Sequence, residues 1–217
     1  LASRTATMRV LHEHQGARKV VSHFNKATKG RIVRGLLESG ADPRTVDELQ
    51  SVLADLGWTV ERDDQRLDIV VAGSGTNIPS PIIDQDPADW DAVMDANVRQ
   101  SWLLCRAAGR VMIAQGRGGK VILMSSTRGA LGLANYTAYC PSKAAVDLLT
   151  KALAVEWGPH GINVNAIAPT VFRSDLTAWM YAEEGNGPAV RENMLRRIPL
   201  GRLGEPTDFH GAVQLLA

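Results

Sequence analysis

Tyr139 and Lys143 form the pair of side chains in this sequence whose types and spacing suit acid–base chemistry. They lie four residues apart at the start of a predicted helix, so both side chains point to one side and can reach one ligand. A tyrosine phenol ionises near pH 10, roughly, which is too high for proton transfer at neutral pH. A neighbouring ammonium lowers that pKa because it stabilises the phenolate. The pair therefore suits a proton donor and acceptor, although the same spacing also fits two unrelated residues on a solvated helix face.

A third polar group, the hydroxyl of Ser126, is predicted to join this pair. Ser126 ends the apolar run KVILMSS, which reads as a buried strand. Since the carboxyl end of a parallel strand lies near the amino end of the helix that follows, the two hydroxyls and the ammonium can surround one substrate oxygen. The preceding Ser125 is interpreted as a neighbour without a catalytic role.

The elements that must position these groups alternate between strands and helices. Short apolar runs predict buried parallel strands, and longer apolar stretches that begin at cap residues and end at glycines predict helices. This alternation predicts an α/β fold: a Rossmann-like, doubly wound parallel sheet in a single domain, with ligands beyond the carboxyl ends of the strands. We predict strands at 67–71, 120–126 and 162–168, and helices at 43–56, 87–115, 139–157 and 205–217.

Composition narrows the class of protein and partner. A length of 217 residues fits one domain (1–217). The net charge of +1 is too small to create the electrostatic field that attracts nucleic acid or an anionic membrane. No apolar run reaches the roughly 18 residues of a membrane span, which predicts a cytoplasmic protein. Cys105 and Cys140 have no metal-type spacing and are predicted to be reduced thiols, without a metal site. The basic stretch 1–31 is predicted to be a poorly ordered extension, with a transit peptide as the alternative.

The segment VILMSSTRGALGLANYTAYCPSKAAVDLLTKALAVEWGPHGINVNAIAPT resembles the short-chain dehydrogenase/reductase family of the classical type, especially its gluconate 5-dehydrogenase-like and 3-oxoacyl reductase-like members. The resemblance implies that Tyr139 exchanges a proton with the substrate oxygen while hydride moves to or from NAD or NADP. Ser126 would hold that oxygen, and Lys143 would lower the Tyr139 pKa and bind the nicotinamide ribose. Asn97 would hold a water behind the lysine; its alternative is a polar residue that caps or kinks a buried helix.

The same resemblance implies a set of cofactor-binding residues. The loop after the strand at 67–71 stands where the family has Asn-Asn-Ala-Gly, and the loop at 169–174 where it has Pro-Gly-x-x-x-Thr. The glycine-rich motif Thr-Gly-x-x-x-Gly-x-Gly is not present in residues 1–66; Gly30 is either its remnant or an ordinary loop glycine. The first strands and the last strand of the family's sheet are therefore expected to be incomplete. The implied cofactor-binding residues are Gly73, Gly75, Tyr139, Lys143, Pro169, Thr170, Val171 and Ser174.

Three functions remain open from the sequence. The first is an oxidoreductase acting on a secondary alcohol or ketone, such as a sugar acid. The second is a catalytically inactive relative that serves as a binding or oligomeric scaffold. The third is a sugar-nucleotide epimerase or dehydratase, since these enzymes also use Tyr-x-x-x-Lys. Because the helices at 87–115 and 139–157 are apolar around much of their circumference, we predict a homodimer or homotetramer.

Residues 170–199 are predicted to form an inserted lid. Five of its side chains either shape a pocket for an anionic polyol or belong to a solvated surface: Arg173, Trp179, Met180, Tyr181 and Arg191.

Overall fold

The computed structural model describes residues 8–10, 20–22, 67–73, 75–174 and 176–217. The predicted helix at 43–56 and the candidate Gly30 lie outside these residues. The strands and α-helices of the described ranges are, in chain order, β1 (Met8–Val10), β2 (Val20–Ser22), β3 (Ile69–Ala72), α1 (Pro87–Met94), α2 (Gln100–Gln115), β4 (Gly119–Met124), α3 (Tyr139–Trp157), β5 (Ile162–Ile167), α4 (Gly187–Leu195) and α5 (His210–Leu216).

The strands form one sheet in the order β1-β2-β3-β4-β5. Strands β2 to β5 are parallel, with Val70 of β3 opposite Val121 of β4 and Val121 opposite Val164 of β5. These valines pack on one face against α2 and α3, while Ile69 and Ile122 face the other side, where α5 packs. Helices therefore cover both faces, which confirms the predicted doubly wound α/β architecture.

Strands β1 and β2 lie within 1–31, a stretch for which the sequence predicted an extension and no regular element. Strand β2 runs parallel to β3, and β1 pairs with β2 in the antiparallel sense. A strand of three residues is too short to show an alternating pattern, so sequence periodicity had no means of finding either one. The assignment of 1–217 to a single domain stays a prediction.

Helix boundaries follow the predicted caps closely. Asp86 accepts a hydrogen bond from the Ala88 amide at 2.8 Å and Pro87 opens α1, while Gly116 ends α2 in the left-handed conformation at φ 62°. The stretch 87–115 was predicted as one regular helix, which is wrong in one respect. A π-helical turn, Asp95–Arg99, separates α1 from α2, and Asn97 lies inside it. A π-turn accommodates an extra residue within a helix and is frequent at functional sites.

Residues 170–204, here called the lid, follow β5 and include the stretch 170–199, whose role as a lid stays a prediction. It contains a 3-10 turn at Ala178–Tyr181, helix α4 and a small apolar core of Val171, Met180 and Leu203. The 3-10 turn Pro206–Phe209 and α5 then match the predicted last helix.

Candidate active site

Tyr139 and Lys143 meet at the carboxyl ends of β3 and β4, where the sequence placed them. Tyr139 is the first residue of α3, and the Lys143 ammonium lies 5.6 Å from the centre of the Tyr139 ring. Lys143 is 4% exposed, and its Nζ donates a hydrogen bond of 2.9 Å to the carbonyl of Met124, the last residue of β4. A buried ammonium with a fixed donor direction is the kind of group that can orient a ligand beside the phenol.

The pKa of Tyr139 is raised above its usual value because the phenol is buried. A hydrogen bond from Ser126 and the positive charge of Arg128 lower this pKa, while nearby Tyr136 and Cys140 raise it. The resemblance implied a net lowering by Lys143. Lys143 is not among the groups that shift this pKa, so its implied effect stays a prediction, and burial of the phenol is the largest cause of the upward shift.

Ser126 lies beside Tyr139, as predicted. Its hydroxyl caps the short 3-10 turn Thr127–Gly129 by accepting from the Arg128 amide at 3.1 Å, and it donates a long bond of 3.4 Å to the Pro169 carbonyl. Ser125, in contrast, donates to the Lys143 carbonyl at 3.3 Å, which ties β4 to the backbone of α3. Ser126 therefore contacts the Tyr139 phenol, whereas Ser125 holds the backbone of α3 in place.

Asn97 acts as a clamp at the back of the site. It is fully buried, and its side chain bonds both backbone groups of Thr76: it accepts from the amide at 2.6 Å and donates to the carbonyl at 2.9 Å. It also donates to the Ser142 hydroxyl at 2.8 Å, and Ser142 in turn donates to the Tyr139 carbonyl at 2.7 Å. The loop after β3, the π-turn and the first turn of α3 are thus joined by one side chain.

Gly75 lies against this clamp and leaves room beside the lysine. A Cβ on Gly75 would lie 3.1 Å from the Lys143 Nζ and 3.2 Å from the Asn97 Oδ1. Any side chain here would press on the ammonium and close the space next to it. Gly73, at the end of β3, is exposed on the same loop. These small residues fit the close approach of a nicotinamide ribose to Lys143.

The loop at 169–174 follows β5 and borders the same edge of the sheet. Its start is tied to the site, because the Pro169 carbonyl accepts from the Thr127 amide at 3.0 Å as well as from Ser126. Val171 is buried in the lid core, whereas Thr170 and Ser174 are exposed. The Ser174 hydroxyl shares a 3.2 Å hydrogen bond with the Thr177 hydroxyl. The structure therefore ties Pro169 to Ser126, whereas the Ser174 hydroxyl is exposed and bonded to Thr177.

Several residues of the site were not found from the sequence. Tyr136 packs edge-on against Tyr139, with ring centres 6.0 Å apart, and the Asn77 side chain hydrogen-bonds to its phenol. Arg128 follows Ser126 by two positions and lies near both tyrosines. Proximity to Ser126 and Tyr139 in sequence was the available signal for Arg128 and Tyr136. Ser142 had a similar signal, as the residue before Lys143.

The lid side chains considered from the sequence make other contacts. Arg173 pairs with Glu205 and Arg191 with Glu183, both at 3.1 Å, and Arg173 stacks over the Tyr181 ring at 4.1 Å. Met180 is buried in the lid core, and Trp179 is partly exposed. Both guanidinium groups thus already have carboxylate partners, which favours the solvated-surface interpretation over an anion pocket in the lid.

The described residues lack the features of a metal site and of a membrane-spanning helix. No cluster of His, Cys, Asp or Glu there could hold a metal ion, and no helix in those ranges is long and apolar enough to cross a membrane. Cys105 is buried, and burial raises the pKa of its thiol to about 12. Cys140 is half-buried near the site and also carries a free thiol.

Comparisons with known proteins identify the family of this chain. A family model described as enoyl-(acyl carrier protein) reductase matches residues 5–217. An uncharacterized oxidoreductase of Mycobacterium tuberculosis H37Rv is 51% identical over 91% of this chain and 74% of its own length. The 2-dehydro-3-deoxy-D-gluconate 5-dehydrogenase of Escherichia coli K12 is 34% identical over 85% of this chain and 70% of its own length.

The fold is also similar to that of a solved dehydrogenase structure. The gluconate 5-dehydrogenase of Burkholderia cenocepacia J2315, crystallised with NADP and tartrate, superposes with a TM-score of 0.66 at 28% identity, covering 86% of this chain and 82% of that one.

Proposed function

Because this chain belongs to the short-chain dehydrogenase/reductase family and is a nicotinamide-dependent oxidoreductase of alcohols and ketones, we propose that Tyr139 is its acid–base residue. The observation that carries the proposal is the convergence of the Tyr139 phenol, the Ser126 hydroxyl and the buried Lys143 ammonium at one edge of the sheet. Asn97 supports the three groups from behind as a positioning residue.

The chemistry follows from the positions of these groups. In alcohol oxidation, the Tyr139 phenolate removes the proton of the substrate hydroxyl; in ketone reduction, the phenol returns a proton to the carbonyl oxygen. Ser126 holds that oxygen with a hydrogen bond, which stabilises the charge that develops on it. When bound, NAD or NADP accepts or supplies the hydride at the substrate carbon. Lys143 favours the phenolate in the assembled site through its positive charge.

We place the cofactor along the carboxyl ends of β3 and β5. Gly75 has no side chain to fill the space beside the Lys143 Nζ, which supports contact between that ammonium and the nicotinamide ribose. Pro169, tied to Ser126 and Thr127, supports a nicotinamide at the loop after β5. The other residues proposed to line the cofactor are Gly73, Tyr139, Thr170, Val171 and Ser174.

The inactive-scaffold alternative gains no support from the described part of the chain. Burial of the Lys143 ammonium beside the Tyr139 phenol costs desolvation free energy, which favours a functional role for this pair over an inactive remnant. The comparisons likewise favour an oxidoreductase over a sugar-nucleotide epimerase. Relatives that act on gluconate derivatives support a polyhydroxylated alcohol or ketone as substrate.

We further propose that the protein is a cytoplasmic homodimer or homotetramer assembled through the outer faces of α1 to α3. Trp102 and Leu148 are 47% and 68% exposed there, and Trp102 also lines a shallow apolar groove. The groove is lined by Met94, Asp95, Val98, Arg99, Trp102 and Leu149. A second copy would cover this apolar surface. Light scattering that finds only monomer at micromolar concentration would contradict the proposal.

The proposed cofactor site is tested by calorimetric titration with NADH and NADPH. We expect micromolar binding of one coenzyme, about tenfold weaker in Lys143→Ala because a charged hydrogen bond to the ribose is lost. Tyr139→Phe should keep most of that affinity and lose about a thousandfold in kcat on any alcohol that is turned over. Lys151→Ala is the matched control, since Lys151 lies exposed on the same helix. Failure of the wild-type protein to bind either coenzyme would overturn the proposal.

A further inference from the structure

Arg128 occupies a position at the entrance of the candidate site. Its backbone amide is bonded to the Ser126 hydroxyl at 3.1 Å, and its Nη1 donates to the Gly132 carbonyl at 3.4 Å. The half-buried side chain therefore extends from Ser126 toward the loop that leads into Tyr136 and Tyr139. Its positive charge acts on both phenols, which agrees with this placement.

The guanidinium of Arg128 differs from those of the lid in its partners. Arg173 and Arg191 are each paired with a carboxylate. Arg128 makes no ion pair within the part of the chain that the structure describes, and its side chain has one long hydrogen bond to a carbonyl. Asp147 lies against the neighbouring Gly129 but is not paired with Arg128. Most of the five N–H donors of this guanidinium are therefore available to a ligand.

A second polar group lies on the same side of the site. The Tyr136 phenol is held by the Asn77 amide and packs edge-on against Tyr139. The buried Asn77 Oδ1 has no hydrogen-bond partner among the residues that the structure describes. Buried polar atoms of folded proteins are nearly always paired with protein groups or ordered water, so this oxygen can accept a hydrogen bond from a ligand hydroxyl or from a water molecule.

We propose that Arg128 binds a carboxylate of the substrate and that Tyr136 binds an adjacent substrate hydroxyl, which makes the substrate a hydroxy acid or keto acid. The inference rests on the proposed dehydrogenase function and names the substrate class for that site. The planar guanidinium matches a carboxylate with two parallel hydrogen bonds, whereas a neutral polyol offers it no charge. A half-buried cation beside the reacting hydroxyls therefore selects acids over the corresponding neutral alcohols.

The test compares matched pairs of substrates that differ only in the carboxylate. Glycerate with glycerol, threonate with threitol and gluconate with glucitol are each offered with NAD⁺ and NADP⁺. We expect wild-type kcat/KM to favour the acid of the best pair. In Arg128→Gln the acid-to-neutral ratio should fall about 30- to 100-fold, as for loss of a charged hydrogen bond. Arg128→Lys should retain part of the ratio, because it keeps the charge and loses the planar geometry.

Two controls separate recognition from folding. Arg173→Gln removes a guanidinium that is already paired with Glu205, so its acid-to-neutral ratio should stay within about twofold of wild type. Turnover of the neutral partner reports whether Arg128→Gln still assembles the site. An equal loss on both partners, or an unchanged ratio in Arg128→Gln, would overturn the inference. Glucitol 6-phosphate, if favoured over every acid, would replace the carboxylate with a phosphate and also overturn it.

A binding measurement covers the case in which no pair is turned over. The three acids and the three polyols are titrated into the complex with NADH or NADPH, where binding does not depend on catalysis. Tighter binding of an acid that is lost in Arg128→Gln supports the inference. Coenzyme binding without any acid binding would contradict the inference but remain compatible with the proposed function. No coenzyme binding sinks both.

Discussion

The back of the candidate site and the lid are stabilised in different ways. Behind Tyr139 and Lys143, the Asn97 side chain joins three chain segments through buried hydrogen bonds of 2.6 to 2.9 Å. The lid has a core of three buried apolar side chains and exposed ion pairs such as Arg191 with Glu183. Buried, fully bonded groups fix a geometry, whereas exposed ion pairs contribute little to it. The candidate acid–base groups are thus held in place by buried hydrogen bonds, whereas a small apolar core and weak ion pairs hold the lid.

The strongest test of this contrast is removal of the clamp. Asn97→Ala leaves the buried amide and carbonyl of Thr76 without their partner, which should lower the free energy of unfolding by about 3 kcal/mol. Denaturant unfolding measures the change. Asn186→Ala is the matched variant in the lid, where the exposed side chain makes no capping bond, and should change stability by about 0.5 kcal/mol or less. Similar losses in the two variants would remove the distinction between the regions.

The next effect concerns the chemistry at the front of the clamp. Ser126→Ala should lower kcat about 100-fold, because a donor to the reacting oxygen is lost. The Ser126 hydrogen bond lowers the Tyr139 pKa, so its removal raises that pKa further. Alcohol oxidation needs the phenolate and increases as pH rises through this pKa; its midpoint should therefore move to higher pH in the variant. A pH–rate profile of unchanged midpoint would show that Ser126 does not act on Tyr139.

A smaller effect is expected from a single methyl group in the site. Gly75→Ala places a Cβ 3.1 Å from the Lys143 Nζ, so the ammonium must shift by a few tenths of an ångström. We expect the dissociation constant for the coenzyme to increase about tenfold, measured by calorimetry. Gly211→Ala is the control, because a Cβ on Gly211 meets no atom within 4 Å. Identical affinities for the two variants would show that Lys143 tolerates displacement.

The smallest effect belongs to the lid. The side chains of Arg191 and Glu183 are 26% and 81% exposed, so their pairing energy should be about 0.5 kcal/mol or less. This pairing energy should disappear at a salt concentration of about 1 M, which screens the two charges. A double-mutant cycle with Arg191→Gln and Glu183→Gln measures it by denaturant unfolding. A coupling as large as the loss in Asn97→Ala would mean that the lid is as firmly fixed as the site.

The sequence predicted the elements that carry strong local signals. Asp86 and Pro87 located the start of α1, and the predicted limits of the helix at 139–157 agree with α3. Ser126, Tyr139 and Lys143 were placed together because a strand end and a helix start meet at one sheet edge in this fold. These predictions needed only neighbouring residues and the usual topology of parallel sheets.

What the sequence did not predict depends on distant contacts. Thr76 and Ser142 gain their importance from Asn97, which lies 21 and 45 residues away in the chain. The pKa of Tyr139 is raised because the folded site buries the phenol. The sequence shows the nearby Lys143 but not this burial. The π-turn was hidden because its sequence, DANVR, contains no glycine or proline to mark a change in the helix.

That π-turn also limits how this helical segment can change in length. Each residue of an α-helix advances the chain by about 100°, and the turn at Asp95–Arg99 holds one residue more than a regular helix would. Deleting that one residue would restore regular winding and leave α2 in phase with α1, whereas deleting a residue of α1 would rotate the segment that follows by about 100°. The fully buried Ala108 and Met112 would then swing away from the sheet. The geometry of this helical segment therefore accommodates a one-residue deletion at the π-turn but not in the regular turns of α1.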